Sequence, residues 1–323
     1  MADARYEKHK KAVAKREAAA SADGRDIGKL HPVKNPKRRQ KCKTSFRLFC
    51  ETYFRLNRFP LPWSADQLAV IDRIERCVHV GGLFAFALPR ASGKTSLAEA
   101  GVMYAVFNGH RRFVMLIGAT ESHAASLLDS IKAEVESNDL LAEDYPEVCF
   151  PVRALGGIHN RASGQTIGTE RTRIKWTSDN LVFPTVKGKP SSGAVIRVAG
   201  ITGAIRGAKH VGADGKPIRP DLAILDDPST DDSSRSPSQN ASREAVISKA
   251  VLGLAGPKKK IACVMPCTVI APGDLADRFL DRDRYPSWQG ERSAMVAAWP
   301  TAQTLWDQYG AIRRASLRDG NEG

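Results

Sequence analysis

The chain contains, from residue 83 to residue 95, the sequence Leu83-Phe84-Ala85-Phe86-Ala87-Leu88-Pro89-Arg90-Ala91-Ser92-Gly93-Lys94-Thr95. A short apolar run typical of a buried strand ends in a turn, and a helical pattern begins at the Gly-Lys-Thr tripeptide. Strand, loop and helix in this order are the context in which Gly-Lys-Thr binds phosphate. Backbone N–H groups at a helix N-terminus face an anion, and the helix dipole favours negative charge there. The sequence therefore predicts a phosphate-binding loop over residues 89–95.

Two side chains of this loop carry the chemistry. Lys94 is predicted to reach the β- and γ-phosphates of a nucleotide, and the Thr95 hydroxyl to ligate Mg²⁺. The loop departs from the full motif G-x-x-x-x-G-K-[ST], because Leu88 stands at the first glycine and leucine does not adopt positive φ cheaply. Gly-Lys-Thr without such a context also occurs in surface turns, so the interpretation depends on the rest of the chain.

A second motif lies further along the chain. Four apolar residues, 222–225, lead directly to Asp226, Asp227 and Pro228, which is the Walker B pattern. A buried strand would deliver Asp226 to Mg²⁺, while Asp227 could polarise an attacking water. Adjacent acids before a proline also occur as helix caps. Their position downstream of a phosphate loop favours the catalytic interpretation.

Further apolar runs alternate with helical patterns. Strands are predicted over residues 112–118, 194–199 and 260–266, and helices over residues 96–107 and 120–137. This alternation indicates a parallel sheet covered by helices on both faces. Thr268 lies just past the last of these strands, where a hydroxyl could sense the γ-phosphate.

One region leaves two interpretations open, and a second gives a weaker pattern. Ser64 and Gln67 fit an S-x-x-Q capping box, and the Gln67 amide could also read the edge of adenine, because it both donates and accepts hydrogen bonds. Residues 144–190 predict β-hairpins, with His159 and Arg161 at the surface.

Composition limits the class of protein. A chain of 323 residues with 42% apolar residues can bury a substantial core. No run approaches the ~18 apolar residues of a membrane span, and the N-terminus lacks the apolar block of a signal peptide. The six cysteines have neither metal-binding nor paired spacing, so reduced thiols in the cytoplasm are expected.

The net charge of +14 is concentrated at one end. Residues 1–60 carry 17 Lys and Arg against 6 Asp and Glu, whereas the rest of the chain is close to balanced. Residues 5–20 could form a helix, but they offer no apolar stripe for docking. The segment is interpreted either as a solvated basic tail or as an arm that contacts the phosphates of a polyanion such as DNA.

Taken together, the motifs resemble the large terminase subunit of tailed bacteriophages, in its N-terminal DNA-packaging ATPase. The segments that carry the resemblance are Gln67 with its preceding aromatics, residues 87–95, Ile205-Arg206-Gly207 leading to residues 219–227, and Pro266-Cys267-Thr268 followed by Asp274. In this family, the phosphate loop often lacks its first glycine and contains an arginine.

The resemblance implies a fold and a domain plan. The expected fold is an α/β P-loop NTPase of the additional-strand type, with a mostly parallel central sheet flanked by helices and a basic N-terminal arm. Residues 1–43 would be a mobile basic arm, residues 44–300 the ATPase domain, and residues 301–323 the start of a linker toward a C-terminal nuclease domain that the chain lacks. Nuclease activity is therefore not expected.

The resemblance also implies roles for residues. Residues 89–95 together with Gln67 would bind ATP, and Thr95 with Asp226 would hold Mg²⁺. Asp227 stands where the family usually has a catalytic glutamate, and its side chain is one methylene shorter. Thr268 matches the family's coupling motif. Arg90 and Arg206 are the candidates for an arginine that neutralises charge on the γ-phosphate, in cis or from a neighbouring subunit; Arg206 could instead contact DNA or a carboxylate.

The implied function is an ATP-hydrolysing motor that translocates double-stranded viral DNA into a procapsid. Its partners would be the portal protein, a small terminase subunit and further copies of the chain in a ring, in the cytoplasm of the infected bacterial host and without a membrane. Two alternatives stay open: a helicase-like DNA translocase with the same ATPase core, and a non-hydrolysing DNA-binding protein with a decayed nucleotide site.

Overall fold

A computed structural model of the chain describes residues 10, 13, 25–203, 205–296 and 298–320. The chain divides into two compact units, Met1–Arg292 and Ser293–Gly323. The described part of the second unit contains one helix, Gln303–Arg318, none of whose residues is buried. The predicted helix over residues 5–20, apart from positions 10 and 13, lies outside the described residues.

The first unit alternates helices and strands. Its α-helices are α1 (Pro36–Thr44), α2 (Phe46–Tyr53), α3 (Ala65–His79), α4 (Lys94–Phe107), α5 (Glu121–Ser137), α6 (Asp139–Asp144), α7 (Pro146–Arg153), α8 (Asp231–Ser234), α9 (Pro237–Val246) and α10 (Leu275–Leu280). A short 3₁₀ turn spans His159–Ala162, and a π-helical turn, Ile247–Val251, follows α9.

Twelve short and long strands are described. They are β1 (Leu83–Ala87), β2 (Phe113–Gly118), β3 (Thr166–Ile167), β4 (Glu170–Arg171), β5 (Lys175–Trp176), β6 (Asn180–Val182), β7 (Val195–Gly200), β8 (His210–Val211), β9 (Pro217–Ile218), β10 (Leu222–Asp226), β11 (Ala262–Cys267) and β12 (Glu291–Arg292). Eight of them form one sheet in the order β12-β1-β11-β10-β2-β7-β6-β5, and β3–β4 and β8–β9 form separate two-stranded ribbons.

The order of the large sheet decides where the site lies. Its six strands from β12 to β7 are parallel, and β6 and β5 extend one edge in antiparallel fashion. β11 lies between β1, which leads into the phosphate loop, and β10, which carries the paired acids. This inserted strand defines the additional-strand arrangement. The predicted α/β P-loop fold is confirmed.

The central strands are mostly apolar because both faces of the sheet are covered. Along β10, Leu222 and Ile224 join a core cluster with the aromatics of α2, whereas Ala223 and Leu225 join a second cluster on the opposite face. Successive side chains of a strand point to opposite faces, so burial on both sides requires apolar residues at every position. Sheet and helices together hold the carboxyl ends of the parallel strands at one edge.

The second half of the predicted basic arm contains a helix that packs on the domain. In α1, the Arg38 guanidinium donates to both Asp144 oxygens, at 2.6 and 2.9 Å, and Arg39 pairs with Glu147. Cys42 on the same helix is buried in the main core. The excess of positive charge predicts a free segment, but these basic residues form ion pairs with acids that lie about 105 positions further along the chain. Residues 1–24, apart from the isolated positions 10 and 13, lie outside the described residues.

The region of residues 144–190 contains more helix than expected. β3–β4 and β5–β6 are antiparallel pairs, as predicted. The helix α7 precedes them, with Pro146 in its first turn and Pro151 inside it. His159 and Arg161 are exposed, as expected.

All six cysteines are buried free thiols. Burial raises the pKa of Cys77 and of Cys149 to about 12, so these thiols stay protonated at neutral pH. Among the helices of the described part, none combines the length and the apolar character needed to cross a bilayer.

Candidate active site

The phosphate loop connects β1 to α4 and leaves the helix N-terminus open. Gly93 takes the N-cap position with φ +81°, a left-handed conformation that glycine adopts without strain, and no side chain caps this end of α4. The first N–H groups of a helix have no partners within the helix. At this terminus they are available to an anion, as the sequence predicts.

The loop itself is held from outside. Gln67 donates from Nε2 to the Ser92 carbonyl at 2.8 Å, and the Ser92 N–H donates to the Pro89 carbonyl at 3.3 Å. Ala91 adopts φ +63°, which is uncommon for a residue with a side chain. The Ser92 hydroxyl is buried and has no hydrogen-bond partner among the described residues. A buried hydroxyl of this kind is a group that a bound phosphate could satisfy.

Gln67 also completes the predicted capping box. Its backbone N–H donates to the Ser64 hydroxyl at 3.1 Å, and its side-chain oxygen accepts from the Ser64 N–H at 3.0 Å. The capping interpretation is confirmed. Both ends of the amide already make one bond, so an adenine contact would use its second N–H and the second lone pair of its oxygen. That contact stays a prediction.

Lys94 is buried next to two other predicted site residues, Asp227 and Thr268. Only 7% of it is exposed, and its ammonium lies 2.9 Å from the Thr268 hydroxyl and 3.0 Å from Asp227 Oδ2. The strand order explains why these three side chains lie close together. Thr268 follows β11, which lies directly between the strand before Lys94 and the strand before Asp227.

Thr95 and Asp226 form the neighbouring pair. The Thr95 hydroxyl lies 3.1 and 3.2 Å from the two oxygens of Asp226, which ends β10 and is only 1% exposed. Hydroxyl and carboxylate oxygens are hard ligands of the kind that Mg²⁺ binds. In the described part of the chain, no cluster of three or more His, Cys, Asp or Glu side chains could hold a metal. A magnesium ion here would need phosphate oxygens and water to complete its octahedron.

Asp227 leaves the strand in an unusual conformation. Its φ is +36°, and its N–H donates to the carbonyl of Pro266 on β11 at 3.0 Å. This turn directs the carboxylate toward Lys94, and about a third of the side chain is exposed. The two adjacent acids therefore serve different neighbours, Asp226 facing Thr95 and Asp227 facing Lys94.

His123 belongs to the site, and sequence reasoning missed it. Its Nε2 lies 3.4 Å from Asp226 Oδ2, and the hydrogen bond to that carboxylate raises the pKa of the imidazole. Parallel pairing puts Gly118, the last residue of β2, beside Asp226. The tight turn from Gly118 into α5 then brings His123 next to the acid. The only signal in the sequence was a histidine shortly after a predicted parallel strand.

The two predicted arginines lie outside this cluster. Arg90 is about 71% exposed and lies 3.5 Å from Asp231, and Arg206 is exposed in the loop after β7. Among the described residues, neither guanidinium bonds to Lys94 or to the acids of the site. Their catalytic role stays a prediction.

No family model matches the chain, and no curated protein matches it. Among solved structures, the chain is similar to an arginine-to-alanine mutant of the large terminase ATPase domain of Thermus phage P74-26. The TM-score is 0.40 at 14% sequence identity, and the match covers 78% of this chain and 88% of that one. That structure is of the family that the motifs of this chain resemble.

Proposed function

We propose that the chain is the ATPase of a viral DNA-packaging motor, the ATPase part of a large terminase subunit. The observation that supports this best is the convergence of five predicted residues at the carboxyl ends of β1, β10 and β11: Lys94, Thr95, Asp226, Asp227 and Thr268. In open α/β sheets, ligands bind in the crevice beyond the carboxyl ends of the strands. The open N-terminus of α4 borders the same crevice.

Lys94 and the loop would hold the triphosphate. The ammonium is already removed from water and is held by one carboxylate and one hydroxyl, so a triphosphate can replace those contacts without first desolvating a free lysine. Loop N–H groups and the unpartnered Ser92 hydroxyl supply further donors. Gln67 would hold the loop and contact adenine.

Thr95 and Asp226 would hold Mg²⁺, Thr95 through its hydroxyl and Asp226 through the carboxylate beside that hydroxyl. When bound, Mg²⁺ neutralises the charge that develops on the β- and γ-phosphate oxygens. His123 fixes the Asp226 carboxylate from the other side.

Asp227 would act as the base. Once Lys94 contacts phosphate, the Asp227 carboxylate loses its partner and can orient a water and accept its proton. The water oxygen forms a bond to the γ-phosphorus while the bond to the β,γ-bridging oxygen breaks, which releases ADP and phosphate. Arg90 or Arg206, from this chain or a neighbouring copy, would stabilise the charge, and Thr268 would sense the loss of the γ-phosphate through Lys94.

The partners follow from the same proposal. They are double-stranded DNA, the portal protein, a small terminase subunit and further copies in a ring, in the cytoplasm of the infected bacterial cell. The basic excess of residues 1–60 supports a polyanionic partner.

The test is steady-state ATP hydrolysis with and without double-stranded DNA. We expect turnover that rises with DNA, and a loss of at least about 100-fold in Lys94→Ala, because that change removes a charge that stabilises the transferred phosphoryl group. Lys249→Ala, an exposed lysine far along the chain, is the matched control and should keep full activity.

Three results would redirect the proposal. Equal turnover in wild type and Lys94→Ala would remove the assignment of the site. Separation of the strands of forked DNA would favour the helicase-like translocase, and failure to bind ATP would favour a DNA-binding protein with a decayed site.

A further inference from the structure

Arg243 on α9 is a buried arginine that the catalytic scheme does not use. Only 8% of it is exposed, and its guanidinium donates to the backbone carbonyl of Pro228. Among the described residues, no carboxylate lies within ion-pair distance of it. A charged group is thus buried against a neutral acceptor.

Such an arrangement works against stability. Removing a charge from water is costly unless an opposite charge compensates it, and replacing such a group by an apolar one is often neutral or stabilising. Burial accordingly lowers the pKa of the Arg243 guanidinium. Local features that oppose stability concentrate at functional sites. The Pro228 carbonyl that Arg243 contacts lies next to such a site.

The Pro228 carbonyl belongs to the residue directly after Asp227. On the other side of the turn, the Asp227 N–H donates to the Pro266 carbonyl at 3.0 Å. The two bonds hold the backbone just before and just after the Asp227 side chain. Between them the chain must keep the left-handed φ of +36° and then enter a proline, whose own φ is restricted by its ring.

The helix α9 is itself well anchored, so it can serve as a fixed point. Asn240 donates to the Ser234 carbonyl at 2.9 Å and accepts from the Leu275 N–H at 3.2 Å. One turn further on, Glu244 pairs with Arg278 at 2.7 Å. These bonds tie α9 to the end of α8 on one side and to α10 on the other.

We propose that Arg243 is a positioning residue, which holds the Pro228 carbonyl and thereby keeps the Asp227 carboxylate aimed at the reacting water. This inference rests on the proposed ATPase function. It assigns no contact between Arg243 and nucleotide, because the side chain acts through the backbone next to Asp227.

The test compares Arg243→Met with Arg243→Lys in the full chain, with Lys249→Met as the control for loss of an exposed charge. For Arg243→Met we expect kcat to fall roughly 10- to 100-fold, as when a catalytic group is misplaced by about 1 Å. KM should not rise and ATP affinity should not fall by more than about twofold, because Asp227 only competes with phosphate for Lys94. The melting temperature should be unchanged or higher. Arg243→Lys, which can still donate to the carbonyl, should recover most of the turnover.

Each other outcome has a defined meaning. An active wild type with an equally active Arg243→Met variant refutes the positioning role alone. A parallel fall in melting temperature and kcat that lysine does not restore also refutes it, because that is the behaviour of a structural residue. A wild type as inactive as Lys94→Ala refutes the ATPase proposal and this role with it.

Discussion

Asp227 combines a strained backbone with a position that the reaction needs. Left-handed conformations outside glycine cost of the order of 1 kcal/mol, and aspartate and asparagine tolerate them best. A longer glutamate would carry its carboxylate further from this turn. The left-handed turn and the shorter side chain together keep the carboxylate 3.0 Å from the Lys94 ammonium.

Asp227→Asn should separate binding from hydrolysis. Asparagine accepts the same backbone conformation, so the fold should persist. The variant cannot accept a proton from water, and we expect kcat to fall at least about 100-fold. ATP affinity should stay equal or rise, because Lys94 loses an anion that competes with phosphate. Equilibrium binding of a fluorescent ATP analogue and single-turnover hydrolysis measure the two effects.

Asp232→Asn is the control for this change, since Asp232 is exposed in the nearby helix α8. It should leave both binding and hydrolysis at wild-type values. Normal turnover in Asp227→Asn would place the base at another residue.

A site residue can be found from the sequence only when it belongs to a motif. Lys94, Thr95 and the two acids could be found from the sequence because their chemistry requires fixed neighbours along the chain. His123 and Arg243 could not be found in this way. His123 reaches Asp226 through the pairing of β2 with β10, and Arg243 reaches Pro228 through the docking of α9. Neither contact leaves a local pattern.

His110 makes stability depend on pH. Its ring is half-buried, with Nε2 donating to the Lys43 carbonyl at 2.9 Å and the His79 ring 4.3 Å away. Burial lowers the pKa of His110 below its ordinary value of about 6.5. Between the two pKa values the unfolded chain binds a proton that the folded chain does not, so the free energy of unfolding falls as pH drops through about 6.5.

His110→Gln should remove this dependence. Glutamine can donate to the same carbonyl but does not titrate. We therefore expect the stability difference between wild type and variant to shift in favour of the variant as pH goes from about 7.5 to about 5.5. Urea unfolding at several pH values measures it. A constant difference across this range would show that His110 does not contribute to the acid sensitivity.

At the scale of elements, α1 shows how a basic segment becomes part of the fold. Asp144 at the end of α6 is fully buried, and it accepts from Arg38 and, at 2.7 Å, from the Tyr53 hydroxyl. A buried carboxylate needs such partners. The ion pair therefore joins α1 to the body of the domain.

Arg38→Ala should destabilise the protein by about 3 kcal/mol, because it leaves the Asp144 carboxylate buried without its cation. Lys34→Ala is the matched control: Lys34 also pairs with an acid, Glu143 at 2.6 Å, but its side chain is 70% exposed. An exposed pair contributes below about 1 kcal/mol. Chemical unfolding of both variants measures the contrast. Equal effects would mean that α1 is not docked as described.

The strands were easier to predict than the helices that cover them. β1, β2, β7, β10 and β11 are mostly apolar runs, interrupted only by Arg197 in β7 and Asp226 at the end of β10, so their existence is visible in the sequence. The helix α7 contains a proline, and its residues Val148 and Cys149 are buried by contacts that local propensity does not report.

At the scale of the whole molecule, most of the excess positive charge lies in residues 25–60 and little of it in the first 24 residues. Residues 1–24 carry 6 Lys and Arg against 4 Asp and Glu, whereas residues 25–60 carry 11 against 2. Part of the second group is neutralised by Glu143, Asp144 and Glu147. Basic residues that are paired in this way are less available to nucleic-acid phosphates than their number suggests.

Two truncations should therefore behave differently. Removal of residues 1–24 takes away a net charge of only +2, so the melting temperature and basal ATP hydrolysis should be retained, and DNA affinity at constant salt should fall less than about tenfold. Removal of residues 1–43 deletes α1 and leaves Asp144 and Glu147, both buried, without their arginines. We expect this second chain to melt at a clearly lower temperature and to lose ATP hydrolysis because it unfolds, not because the site is altered.

Thermal melts, ATPase rates and a salt titration of DNA binding on both truncated chains test this. A chain lacking residues 1–43 that melts like the wild type would mean that the charged N-terminal segment is an independent arm after all, and that the ion pairs of α1 contribute nothing to the fold.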